Sequence, residues 1–198
     1  MKFLNFKIKP VFFFLFLFIV SVIFSSCTKD YSPKPRGYFR IDFPKKKYVH
    51  FVPPYCPFEF DIPDYAEIKY DTNRFAEPCW MYLVFPSLNG QLYITYKPVI
   101  KNLMTYTEEA RTMVYKHTVK ANAIDEKTIH TKNNVHGVLY DIGGNSASNV
   151  QFYVTDSVHH YLRASLYFYT SPEADSLAPV VAFVREDITR FIDSFKWK

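Results

Sequence analysis

The feature that most constrains the fold is a hydrophobic period that changes twice along the chain. Residues 48–52, 58–62, 66–70, 80–85 and 92–97 are short alternating or apolar runs bounded by proline, glycine and asparagine. Such runs read as strands, because successive strand side chains point to opposite faces. Phe58, Phe60 and Ile62 share one face while Glu59 and Asp61 take the other, the mark of a sheet wet on one side. Residues 80–85 are apolar on both faces and are expected to lie centrally in the sheet. The period then becomes helical, with Tyr106, Ala110, Met113, Val114, His117, Ala121 and Ile124 on one stripe. Thr105 and Glu108 have the spacing of a capping box, so the pattern predicts a helix over 106–123. Strand patterns return at 127–131, 135–142, 148–155 and 159–169, separated by turn residues such as Gly143, Gly144 and Asn145, then Asp156 and Ser157. A second helix is announced by Ser176 as its cap and Pro179 in its first turn. Its stripe is Leu177, Val181, Val184, Ile188, Phe191, Ile192 and Phe195, wide enough to cover a sheet. Strands, a helix, more strands and a closing helix predict an α+β domain, an antiparallel sheet layered with helices.

The N-terminus carries a different signal. Lys2, Lys7 and Lys9 precede an uncharged run of 14 residues, 11–24, that ends in Ser25, Ser26 and Cys27. That length suits the apolar core of a signal peptide better than a membrane-spanning helix. Small residues before a cysteine are what the bacterial lipoprotein peptidase requires, and the freed cysteine thiol then receives the lipid. Residues 1–26 are therefore expected to be a lipoprotein signal peptide and Cys27 the lipidated N-terminus; an ordinary signal with a chance cysteine is the plainer alternative. Residues 27–44 hold several prolines and no apolar period and read as a tether and extended lead-in. Residues 45–198 are expected to be one α+β domain. Removing residues 1–26 from the 198-residue chain leaves 172, enough for one core. Losing the three leader lysines takes the formal charge from +5 to +2, which leaves no electrostatic argument for nucleic acid.

Beyond Cys27 the chain has one pair of cysteines, Cys56 and Cys79. Outside the cytoplasm such a pair is a disulfide candidate, and pairing of the strands at 58–62 and 80–85 would bring the two together. Two free thiols are the alternative. Neither has a second ligand at the short spacing of zinc sites, so no metal site is expected. Catalytic signatures are also lacking: there is no Gly-x-Ser-x-Gly elbow, His-Glu-x-x-His helix or phosphate-cradling glycine loop. Asp156, Ser157, His159 and His160 include hydrolase residue types, but they sit at a predicted hairpin turn. His117 lies on an apolar stripe, where a satisfied core histidine is the simpler reading. No enzymatic activity and no cofactor are expected.

Several stretches taken in order resemble one family. They are Cys27 followed by DYSPKPRGYFRIDFP (30–44), Cys56-Pro57-Phe58, Cys79-Trp80, YKHTVKANAI (115–124), LYDIGGNSASNVQF (139–152), DSLAPV (175–180) and the terminal Phe195-Lys196-Trp197. Together they resemble the gliding-motility lipoprotein D family of the Bacteroidetes across the whole mature chain. The resemblance implies an envelope lipoprotein required for gliding and bound up with type IX secretion; it brings no catalytic or binding residues. The element order is similar to the Mog1/PsbP-like sandwich, an analogy that carries no function. Two readings of the working mode follow. An accessory or assembly component would dock other gliding or secretion envelope proteins through an exposed aromatic face. A small-ligand or lipid-binding module would use a pocket between sheet and helix. For docking, the candidate surface is the row Tyr161, Arg163, Tyr167 and Tyr169 at period two, beside Tyr153; burial of that row under a helix is the alternative. Thr28 after Cys27 favours an outer-membrane anchor facing the periplasm. Metabolic labelling with a fatty-acid analogue is expected to tag the wild type and not Cys27→Ala, and equal labelling of both would remove the lipoprotein reading.

Overall fold

The computed structural model describes residues 40–198. The leader, Cys27 and the tether up to residue 39 lie outside the described residues. Among the described residues ten strands and two α-helices follow one another in the order β1 (Tyr48–Phe51), β2 (Phe58–Pro63), β3 (Glu67–Tyr70), β4 (Met81–Phe85), β5 (Gly90–Pro98), α1 (Leu103–Tyr115), β6 (Ala121–His130), β7 (His136–Gly144), β8 (Val150–Thr155), β9 (His160–Phe168), α2 (Ala174–Ser194) and β10 (Lys196–Trp197). Seven strands form one antiparallel sheet in the order β3-β4-β5-β9-β8-β7-β6, and β1-β2-β10 form a second. The long pairing of β5 with β9 runs from Gly90 opposite Phe168 to Pro98 opposite His160.

Alternation along β8 and β9 gives the large sheet two distinct faces. Phe152, Val154, Leu162, Ala164 and Leu166 are buried on one face, in a core shared with Phe58 and Phe60 of β2 and Val184, Ile188 and Phe191 of α2. Aromatic rings interlock there: Phe60 lies 4.1 Å from Phe191, and Phe152 lies 5.6 Å from it in an edge contact. A smaller cluster lies on the opposite face, where Val114 of α1 packs with Tyr140 and Ile142 of β7. The α2 stripe is buried as its period predicts, from Val181 to Phe195.

Several expectations are corrected. The centre of the large sheet is β9, not the strand at 80–85, which as β4 lies second from an edge with Tyr82 and Val84 only half-buried. Helix α1 ends at Tyr115, and a 3-10 turn, Lys116–Val119, leads into β6. Ala121 and Ile124 mimic a helical period because a bulge shifts the β6–β7 register between them. One extra residue in a strand turns a spacing of two into three. The predicted capping box is not used: Asn102 stands at the N-cap position, with its side chain turned back to the Ile100 N–H, and Thr105 lies inside the first turn. α2 starts at Ala174 after Glu173, so Ser176 is not its cap, and Pro179 falls in the second turn. The two-residue strand β10 is too short to carry a periodic signal.

Two cross-links join the layers. Cys56 and Cys79 form a disulfide with Cα atoms 5.8 Å apart. Their strands do not pair; the bond instead ties the small sheet ahead of β2 to the large sheet ahead of β4. A closed loop of this length restricts the unfolded chain by an amount worth about 3 kcal/mol. The second link is polar. Asp187 of α2, 2% exposed, accepts hydrogen bonds from Tyr65, from Tyr48 at 2.8 Å and from the Lys46 ammonium at 2.7 Å. Lys46 also lies 3.8 Å above the Phe183 ring, and Phe43 stacks on that ring at 4.5 Å. The end of the lead-in is thus fastened to α2. Burial, reinforced by the Asp187 carboxylate, pushes the Tyr48 and Tyr65 phenols well above their ordinary range, which keeps them as donors. Asp187→Ala leaves two phenols without their acceptor and the Lys46 ammonium with only the Phe183 carbonyl and Glu186, and is expected to cost about 3 kcal/mol in urea unfolding. Asp187→Asn, which retains one acceptor oxygen, is expected to cost less.

Candidate binding groove

Helix α1 crosses one face of the large sheet but leaves the β4–β5 end uncovered. A groove of about 410 Å³ opens there, with Trp80, Tyr93, Thr95, Lys97, Arg163 and Tyr167 on the sheet side and Tyr106, Glu109, Ala110 and Met113 on the helix side. Register explains the sheet side. Tyr93, Thr95 and Lys97 alternate along β5, with Thr95 directly opposite Arg163 and Gln91 opposite Tyr167 on β9. The Trp80 indole N–H donates to the Tyr96 carbonyl at 3.0 Å, which sets the ring at the groove end. Lys97 lies 5.5 Å from the Tyr106 ring centroid and 5.9 Å from that of Trp80, with Glu77 as its carboxylate partner at 3.4 Å. Tyr82 stacks on Tyr93 at 4.8 Å, and both hydroxyls donate to Asp71. Burial raises the Tyr93 phenol above its ordinary range, and the neighbouring Tyr82 and Asp71 add to the effect.

Arg163 is positioned from behind by a chain of side chains. Its guanidinium donates to Gln151 Oε1 at 2.5 Å. The Gln151 amide nitrogen lies 3.0 Å from His117 Nε2, and His117 Nδ1 lies 3.0 Å from Ser146 Oγ. The Ser146 hydroxyl donates to the Ser148 carbonyl at 2.9 Å, so it accepts from His117. Only one arrangement satisfies every member: a neutral His117 protonated on Nδ1, with Nε2 accepting from Gln151. Burial, then the Arg163 charge, hold the His117 pKa below its ordinary value. Among the described residues no carboxylate lies within ion-pair distance of Arg163.

The row read from the sequence divides in two. Tyr161 is 4% exposed and donates to the Tyr106 carbonyl of α1 at 3.2 Å, and Tyr153 stacks on it at 5.5 Å. These two lie beneath the helix and are not a free surface, because α1 crosses β8 and β9 at that point. Arg163 and Tyr167 line the groove, which Tyr161 also lines from beneath α1, and Tyr169 is exposed beyond the end of β9 with its hydroxyl on Gln91. Sequence reasoning missed Trp80, Tyr93, Lys97 and Tyr106. The alternation of Tyr93, Thr95 and Lys97 was available as a signal; the His117–Gln151 link was not. Asp156 accepts from the backbone N–H groups of Val158, His159 and His160, and so builds the turn in which Ser157 has φ 70°. A larger cleft of about 490 Å³ lies between β6–β7 and α2. Its central carboxylate, Asp141, is already paired with Lys127 at 3.0 Å and Arg185 at 2.8 Å.

Comparison with known proteins places the chain. The family described as gliding motility lipoprotein GldD matches residues 28–197. The chain belongs to that family. Members are gliding motility lipoproteins, which fixes this protein as one held at a membrane of the cell envelope by lipid. Among the described residues no helix is long and apolar enough to cross a membrane. The fold is similar to the solution structure of cyanobacterial PsbP (CyanoP) from Synechocystis sp. PCC 6803, at 9% identity and a TM-score of 0.48, over 78% of this chain and 95% of that one. No curated protein matches the sequence.

The neutral state of His117 has a measurable consequence in this GldD-family domain. The unfolded chain takes up a proton on His117 near its ordinary pKa, about 6.5, while the folded chain resists it. That part of the stability is complete above about pH 6.5 and declines as pH falls from there toward the folded value. The loss between about pH 7.5 and about pH 5.5 in denaturant titrations is expected to be smaller in His117→Asn than in the wild type.

Proposed function

We propose that this lipoprotein acts in gliding as an accessory or assembly component linked to the type IX secretion machinery, and that it docks partner envelope proteins through the groove beside α1. The observation that carries the reading is the composition of that groove: Trp80, Tyr93, Tyr106 and Tyr167 around Lys97 and Arg163. Tryptophan, tyrosine and arginine on a rigid sheet are the side chains from which interface anchors are drawn. Arg163 is held by Gln151 and lacks a carboxylate partner among the described residues, so a partner's acidic group would complete it. The link to type IX secretion rests on the family resemblance alone. The outer membrane, facing the periplasm, is the compartment in which we place the domain, tethered by lipid on Cys27.

A second reading is a small-ligand or lipid-binding module. Its support is that apolar rings and a few convergent polar groups line one concave space between a helix and the sheet. Arg163→Ala and Tyr167→Ser both lie at half-buried groove positions and separate the possibilities when protein level, gliding and crosslinking are measured together. Docking predicts normal protein level, lost gliding, and loss of a protein adduct formed by a photo-crosslinker at Met113. Truncating an anchor of this kind typically weakens binding by more than about 1 kcal/mol. Fully motile variants with the adduct unchanged would remove the groove as the working surface. Lost gliding with no protein adduct in the wild type, and a bound small molecule in its place, would favour the second reading.

A further inference from the structure

The hairpin of β6 and β7 ends on a cross-strand pair, His130 opposite His136. One step further into the loop, the Thr131 N–H donates to the Val135 carbonyl at 3.0 Å. The two histidines therefore occupy a non-hydrogen-bonded pair, the position at which opposite side chains come closest on one face. Their Nδ1 atoms are 3.0 Å apart. His130 is exposed and His136 half-buried. Asn134, at φ 57° in the loop, places Oδ1 3.2 Å from His136 Nε2. A carbonyl oxygen only accepts, so His136 carries its proton on Nε2 and turns the Nδ1 lone pair toward His130. The hairpin is rigidly seated. Asn133 donates to the Phe195 carbonyl at 3.0 Å, and a Cβ added at Gly137 would lie 1.9 Å from the Tyr153 carbonyl oxygen, so β7 lies tight against β8 there.

The geometry points to a binding site for a divalent transition metal of the zinc, copper and nickel class, ligated by Nδ1 of His130 and Nδ1 of His136. Two imidazole nitrogens on one tetrahedral zinc, each at about 2.05 Å, stand about 3.3 Å apart, close to the spacing already present. Binding requires that the His130 proton move from Nδ1 to Nε2 and that both rings turn so that the Nδ1 atoms, which now face each other, aim at one shared metal; no oxidant or reductant is involved. Asn134 fills the outer position that metal-bound histidines ordinarily give to a carbonyl or carboxylate, fixing tautomer and ring orientation. Imidazole donors select this class over calcium or magnesium, which take oxygen ligands. No group of three or more His, Cys, Asp or Glu side chains gathers at one point among the described residues. The remaining coordination positions therefore fall to water or to donors of a second protein, and the site is open. It lies on a different hairpin from the groove and does not depend on the docking reading.

The test uses the mature protein, labelled with nitrogen-15 in its six histidines and titrated with Zn²⁺ near neutral pH. The expected result is that Nδ1 of His130 and His136 shift together and saturate at one equivalent, while Nε2 of His136 keeps its proton and Nε2 of His130 gains one. The signals of His50, His117, His159 and His160 serve as internal controls and stay in place. His130→Gln at its exposed strand end, with the control signals unchanged to confirm the fold, is expected to weaken Zn²⁺ binding at least tenfold. Asn134→Ala is expected to weaken it by roughly tenfold. Equal broadening of all six histidines, no shift at stoichiometric Zn²⁺, or unchanged affinity in His130→Gln would overturn the assignment.

Discussion

The structure depends first on the pairing of β5 with β9. These strands join the β3-β4-β5 half of the large sheet, made before α1, to the β9-β8-β7-β6 half made after it. Each half is a meander of neighbours that local turns can assemble, but the seam between them closes across the intervening helix and three strands, β6 to β8. Closing such a loop costs chain entropy that only an extended contact repays. The seam has nine register pairs, from Gly90 with Phe168 to Pro98 with His160. Its inner face supplies Leu92, Ile94, Leu162, Ala164 and Leu166 to the main core. Its outer face supplies Tyr93, Thr95, Lys97, Arg163 and Tyr167 to the groove. The candidate site and the core are therefore two sides of one set of hydrogen bonds.

The second constraint is how the small sheet and the lead-in are held to that frame. Antiparallel pairing alone does not bring β2 and the large sheet together, since no strand of one pairs with a strand of the other. Aromatic packing does so: Phe58 meets Tyr96 of β5, and Phe58 and Phe60 pack on Phe191 and Phe195, with Phe191 in turn against Phe152 of β8. The Cys56–Cys79 disulfide and the Asp187 cluster lock the arrangement at two separate places. A buried carboxylate is costly unless every lone pair is occupied. Asp187 approaches that condition with three donors, Lys46 and Tyr48 on one oxygen and Tyr65 on the other.

Most elements were legible because their periods are clean. The α2 stripe and the alternation of Phe58, Phe60 and Ile62 each follow one pattern without interruption, and each is buried as read. The misreadings share a physical cause. Ala121 and Ile124 carry a spacing of three because of a bulge, and a bulge has no signature separable from a helical turn over so few residues. Ser176 and Thr105 are good capping residues that the backbone does not use, since the helices start where the preceding chain leaves the sheet rather than at the best available cap. The row read from β9 divides for a similar reason. Period two shows which side chains share a face of β9, but not that α1 covers Tyr161 and leaves Arg163 at its margin.

What the sequence by itself determined is the class of element at nearly every position, the two faces of each strand and the family, because these depend on neighbours within a few residues or on the order of whole stretches. Only the tertiary structure decided which strand stands at the centre, that the cysteines bridge two sheets, and that His117 reaches Arg163 through Gln151. It also decided that His130 and His136 face each other, which rests on seven register pairs from Ile124 opposite Ile142 to His130 opposite His136. Each of these is a contact between segments whose meeting is governed by sheet order and layer packing. Those are set by the burial of the whole apolar surface at once, and no local stretch of residues encodes them alone.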